Sequence, residues 1–176
     1  KAVVGWVDLL SPDLERELDA FAAHRHLRGV RHVAQDEPDD SWLARPGVVR
    51  GVGTLRRFDL TYDILVYARQ LPAAFALARA LPDQPLVVDH LAKPEIRARR
   101  IEPWRSDIRR LAALPHVHCK LSGLVTEAAW DRWTPADLGE PGAVDRLRGA
   151  EGMGAVTYFG VFGRLLKQQR DEFAFL

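Results

Sequence analysis

Five short runs rich in apolar and β-branched residues punctuate the chain, at residues 2–7, 27–33, 62–67, 85–90 and 117–121. Most are continuous rather than alternating, and Val, Leu and Ile dominate them, the pattern of strands covered on both faces in a parallel sheet. Between the runs, apolar positions recur at spacings of three and four. Ser11-Pro12-Asp13-Leu14 predicts a helix entered through an N-cap and a proline at its first position, with Leu14, Leu18, Phe21 and Ala22 on one stripe. Residues 71–81, entered through Pro72, repeat the spacing with Phe75, Ala78 and Leu81. Residues 104–114 do so with Ile108, Leu111 and Ala112. Strands alternating with helices predict βαβ units joined by right-handed crossovers.

The rhythm changes near Leu138. Residues 1–138 hold 6 of the glycines and all five tryptophans, whereas residues 139–176 hold 7 glycines. Beyond the change only residues 155–162 are patterned as a strand and 163–173 as a short amphipathic helix. The expectation is an α/β unit over 1–138 followed by a segment of different character over 139–176. No internal repeat is evident.

Composition narrows the picture. A chain of 176 residues has room for one domain with a real core. It falls short of the roughly 200–250 residues that a complete eight-stranded β/α barrel needs. With 25 Lys+Arg against 24 Asp+Glu, the net charge of +1 gives no electrostatic reason to expect nucleic acid or an anionic membrane as partner. No apolar run approaches the roughly 20 residues of a membrane span. The single cysteine, Cys119, excludes an internal disulfide and fits a reducing cytoplasm. The chain starts at Lys1, already inside an apolar run, which leads us to expect further sequence upstream.

Several polar residues stand where a parallel sheet presents its chemistry. His90 closes the run Leu86-Val87-Val88-Asp89-His90, and ligands of parallel α/β proteins sit at the carboxyl ends of strands. An imidazole there can bind metal, act as a base or polarise a carbonyl. It can equally be a buried histidine bonded to a loop carbonyl. Asp89 alternates to the opposite face, where it would tie its strand to a neighbour. Arg31 shares a face with Val33 and Gln35, while His32 takes the other. Its guanidinium can grip a carboxylate or ring oxygen, or form a salt bridge with Asp36 or Glu37. His118 and Lys120 share a face of their strand, and a lysine that deep implies either a mouth position or an internal salt bridge. Tyr67 and Arg69 end the third run and would line the same mouth, whereas Asp63 would sit at the opposite rim. Cys119 faces the other way as core filling. His24-Arg25-His26 has the spelling of a metal pair, but helix geometry turns the two rings apart, and imidazoles at a helix C-terminus interact favourably with its dipole. No Gly-rich phosphate loop, CxxC or HExxH is present in the sequence.

Together these blocks resemble the amidohydrolase-related, lactonase-type metal-dependent hydrolases. The resemblance runs in order through Gly5-Trp6-Val7-Asp8, Gly29-Val30-Arg31-His32, Gln35-Asp36-Glu37-Pro38, Tyr62-Asp63 and Arg69-Gln70-Leu71-Pro72. It continues through Val88-Asp89-His90-Leu91-Ala92-Lys93-Pro94, Trp104 ahead of Leu111-Ala112, and Cys119-Lys120-Leu121-Ser122-Gly123. It implies an α/β fold, a partial (β/α) TIM barrel of the metal-dependent hydrolase type that lacks its first and last strands. It also implies attack of water on a lactone carbonyl at the barrel mouth, with relatives acting on sugar-acid lactones such as fuconolactone and on pyrone dicarboxylate. On this reading His90 is the catalytic strand-end histidine, and Arg31, Tyr67 and Lys120 face a small-molecule lactone or carboxylate substrate.

The resemblance further implies an HxH block ahead of residue 1 and an SDWP-like block carrying the general-base aspartate after Leu138. Neither is spelled out in this sequence. A divalent metal such as zinc in intact relatives would lean on that HxH pair, so metal use by this chain stays open. The expectation is a truncated hydrolase of weak or no activity, whose residues 139–176 are an unmatched tail consistent with a shifted reading frame. A non-catalytic remnant or small-ligand-binding module that keeps Arg31, Tyr67 and His90 is the other reading. Exposed barrel edges would favour self-association in either case.

Overall fold

The computed structural model describes residues 2–138, so the strand and helix expected within 139–176 lie outside the described residues. Five strands form one sheet in the order of the sequence: β1 (Val3–Gly5), β2 (Leu27–His32), β3 (Thr61–Ile64), β4 (Leu86–Val88) and β5 (Val117–Cys119). All four pairings are parallel. Each parallel neighbour therefore needs a crossover, and helices supply it: α1 (Leu14–Ala22), α2 (Pro46–Thr54), α3 (Leu71–Ala80) and α4 (Trp104–Ala112), with the short α5 (Pro135–Leu138) after the sheet. Every expected strand and every expected helix within these residues is present, most of them trimmed at their ends, while β3 starts one residue earlier, at Thr61.

The register explains which residues the core receives. Val30, Tyr62, Leu86 and Val117 are lateral partners, and so are His32, Ile64, Val88 and Cys119. These two rows point toward the helices, and all but His32 are buried among Leu18, Val48, Val52, Leu71, Leu77, Ile108 and Leu111. The row between them holds Arg31, Asp63, Val87 and His118 and points the other way. The expectation of apolar cover on both faces thus holds for the helix face alone. The opposite face carries charge.

Two local differences from the sequence-based expectation have simple causes. Helix α1 starts at Leu14 rather than at Pro12, because the Ser11 hydroxyl accepts the Asp13 N–H (3.1 Å) and holds residues 11–13 in a turn. Phe21, expected in the apolar stripe, is exposed, while Leu14 and Leu18 are buried. Helix α2 has no counterpart in the expectations: three glycines in nine residues hide it. It forms because Pro46 starts it and because Val48 and Val52 bury completely. Its closest approach is at Gly51, where a Cβ would lie 2.2 Å from the Leu9 carbonyl oxygen.

Candidate active site

The carboxyl ends of β2 to β5 open on one side of the sheet, and the charged face leads up to them. Lys120, just past β5, reaches across β4 to place its ammonium 2.5 Å from an Asp63 oxygen and 2.6 Å from an Asp89 oxygen. The second approach is an ion contact rather than a well-directed hydrogen bond. Arg31 completes the cluster through its 3.1 Å bond to the other Asp89 oxygen. Two carboxylates and two cations therefore interlock four strands, β2 to β5.

Exposure falls steeply through the group: 42% for the Arg31 side chain, 15% for Lys120, 2% for Asp63 and 0% for Asp89. Burial raises the Asp63 carboxyl above its ordinary range, an effect the Lys120 hydrogen bond only partly offsets. Burial by itself would lower the Lys120 ammonium, but its hydrogen bond to Asp63 and the close negative charge of Asp89 outweigh that and hold it above its ordinary value. Lys120 forms the internal salt bridge that its position in the sequence left open. Arg31 pairs with neither Asp36 nor Glu37; Glu37 instead takes His32, 2.7 Å away. Asp63 is not at the opposite rim, because strand β3 begins at Thr61 and the parallel register brings Asp63 level with Arg31.

His90 stands beyond the end of β4 in an unusual backbone. His90, Leu91, Ala92 and Lys93 have φ of 53°, 53°, 54° and 50° in succession, one turn of left-handed helix. L-residues meet a penalty of about 1–2 kcal/mol each in that conformation. The turn is closed by the Lys93 N–H donating to the His90 carbonyl (2.9 Å). Its imidazole is fixed from β5: Nδ1 shares a 2.9 Å hydrogen bond with Ser122 Oγ. Gly123, at φ 73°, lies so close that a Cβ there would meet the His90 Cβ and Cγ at 2.9 Å. Partial burial lowers the His90 pKa from its usual value, and the charges of Lys93, Lys120 and Arg31 add to this against the opposing pull of Asp89. The imidazole is thus biased toward its neutral form.

Tyr67 follows β3 and stands between two cations. The Arg69 guanidinium lies 4.9 Å and the Lys93 ammonium 4.8 Å from its ring centroid. Lys93 also donates to Gln35 Oε1 at 2.5 Å, and Arg69 bonds Asp40 at 2.8 Å. Behind the ring, the buried Gln70 accepts the Tyr67 N–H and donates to the Ala34 carbonyl, both at 2.9 Å, joining the ends of β2 and β3.

The structure therefore gathers His90, Arg31 and Lys120 into one electrostatic neighbourhood, and the Lys93 side chain links Tyr67 to it. Sequence reasoning passed over Lys93, Gln35 and Ser122 as site residues. Their signal was proximity to strand ends. His24 and His26 fall in the turn after α1, away from this mouth. Cys119 is buried, and burial pushes its thiol up to about 12, as core filling requires.

The family model described as Amidohydrolase matches residues 1–148. This chain belongs to the amidohydrolase family. Among curated amidohydrolase relatives, the L-fucono-1,5-lactonase of Burkholderia ambifaria is 46% identical over 127 residues, covering 72% of this chain and 44% of that protein. The L-fucono-1,5-lactonase of Burkholderia multivorans is 44% identical over 137 residues, with coverage of 74% and 46%. The chain spans less than half the length of these two relatives. An amidohydrolase from Burkholderia multivorans, solved with bound HEPES, superposes with a TM-score of 0.79 at 34% identity, covering 97% of this chain and 66% of that one. The same amidohydrolase solved with bound zinc gives a TM-score of 0.78. The five parallel strands are accordingly a partial TIM barrel of the amidohydrolase type.

Proposed function

We propose that this chain serves lactone hydrolysis, acting on a sugar-acid lactone or a related small carboxylate-bearing lactone at the carboxyl ends of its strands. The observation that carries the reading is the 46% identity to an L-fucono-1,5-lactonase over 127 residues that include His90 and its supporting turn. His90 is the catalytic group in this reading. In this reading the Ser122 hydroxyl donates to Nδ1 and the ring proton is assigned to Nε2, from which a neutral imidazole polarises the lactone carbonyl toward attack by water. Arg31 and Tyr67 hold the oxygens of the substrate, and Lys120 supports them by fixing Asp89 beneath Arg31. The buried free cysteine suits a reducing compartment, so we place this chemistry in the cytoplasm. No helix among the described residues is long and apolar enough to cross a membrane.

Zinc in the Burkholderia structure raises the question of a metal here. Among the described residues no group of three His, Cys, Asp or Glu converges as a metal site. The two buried carboxylates that could contribute are already neutralised by Lys120 and Arg31. The described residues do not fit a divalent metal.

The same pairing favours a second reading, a small-ligand-binding module without turnover. Asp63 and Asp89 are each held by a cation and are poorly placed to take a proton from water. Incubating the purified chain with L-fucono-1,5-lactone and following proton release separates the readings. Hydrolysis that falls in His90→Gln supports the first. Saturable binding without proton release supports the second, and absence of both overturns the proposal. Strand β1 is an edge, with Val3 in it 52% exposed and Trp6 just after it 58% exposed, and two copies of the chain pair along it in this reading.

A further inference from the structure

We infer that Trp104 is a positioning residue for His90, acting as a clamp on the left-handed turn that carries the imidazole. A run of four residues at positive φ opposes the intrinsic preference of L-residues at every step, so such a turn persists only where its surroundings over-determine it. The Ser122 bond fixes the ring and the Lys93 amide closes the turn, but neither holds the middle. The Trp104 indole does. Its Nε1–H donates to the Leu91 carbonyl at 2.6 Å, and the indole is 97% buried at the first position of α4. That carbonyl lies on the peptide joining Leu91 to Ala92, so neither of these two residues can leave the left-handed region without turning it away from the indole, and the backbone that follows His90 is held. Leu91 and Ala92 are completely buried, so the turn cannot relax outward without emptying that space.

The clamp works through the barrel's own architecture. Helix α4 follows the turn and leads into β5, and its Ile108 and Leu111 are anchored in the core. The indole thus transmits the fixed position of α4 to the backbone under His90, while Ser122 and Gly123 after β5 define where the ring can lie. The same turn sets Lys93, three residues on, against Tyr67. The Trp104 bond therefore supports the backbone beneath both groups at the mouth. The inference rests on His90 as the acting group, yet it concerns the unliganded chain.

The test is an NMR titration of the full 176-residue protein without substrate, with His90 assigned by loss of its signal in His90→Gln. Trp104→Phe keeps most of the ring and removes the N–H. Its expected effect is a His90 pKa that moves up toward the ordinary imidazole value as the turn opens and burial is lost. Ala92→Gly removes the side chain that penalises φ of 54°. Added to Trp104→Phe it should return the His90 titration toward wild type, a rescue that simple loss of core packing would not allow. An unchanged His90 titration in Trp104→Phe, or no rescue by Ala92→Gly, overturns the clamp. Should Trp104→Phe fail to fold, hydrogen exchange on the wild type decides. The indole N–H and the Lys93 amide should then share protection to within about tenfold, and independent exchange of the two overturns the inference. Neither readout involves hydrolysis, so a chain without lactonase activity leaves the clamp standing, and failure of the clamp leaves the lactonase proposal standing.

Discussion

Lys120 reaches across strand β4 to bond Asp63 on β3, two strands away in the sheet, at 2.5 Å. A side chain that bridges non-adjacent strands stiffens the charged face in a way that backbone ladders, which join neighbours only, cannot. Removing one partner leaves the others as uncompensated charges in a poorly hydrated place. Lys120→Met should therefore lower stability by about 3–5 kcal/mol, read as a lower urea midpoint at unchanged slope. Asp63→Asn should cost less, since Asp89 remains to hold the ammonium.

The ion cluster also has an alkaline limit. The folded-state pKa of Lys120 is raised above its ordinary value of 10.5, so its contribution is complete below that pH. It is lost as pH climbs through the folded value. Thermal unfolding of wild type and Lys120→Met should converge as pH rises beyond 10.5.

His90 carries the opposite sign. Its pKa is lowered from 6.5, so the unfolded chain takes up the proton first, and the neutral ring contributes stability above 6.5 that fades as pH falls through the folded value. Wild type should lose more stability than His90→Gln on acidification from neutrality, and the difference between the two denaturation series isolates this group from the carboxylates. If His90 also polarises the lactone carbonyl, His90→Gln should lower kcat by about 10²–10⁴-fold. Arg31→Met should act mainly on KM.

Gly123 is a strict requirement of the site. Its φ of 73° already disfavours any other residue, and a Cβ would strike the His90 ring at 2.9 Å. Gly123→Ala should destabilise by about 1–2 kcal/mol through backbone strain alone. It should also displace the imidazole, visible as a changed His90 chemical shift in a protein that still folds.

Much of this was legible in residue order. Continuous runs of Val, Leu and Ile, separated by segments of helical period, mark five parallel strands and three of the crossover helices because strand and helix bury apolar residues at different periods. The block from Val88 to Pro94 marked the site. Helix α2 was illegible because glycine lowers local helix preference, and only contact with Leu9 and the core makes the segment helical. Asp63 was misplaced for a different reason: sequence shows where a strand can run, while register decides which residues stand level across it.

The amino-acid order by itself determined the alternation of elements, the helix-facing core and the identity of His90 as the strand-end imidazole, since all three follow from local periodicity. Tertiary structure decided the rest. It gave Asp89 both Arg31 and Lys120, set Tyr67 between two cations, and bent four consecutive L-residues into a left-handed turn under His90. Those outcomes depend on groups separated by tens of residues meeting at a fixed distance, and only the packed sheet brings them there.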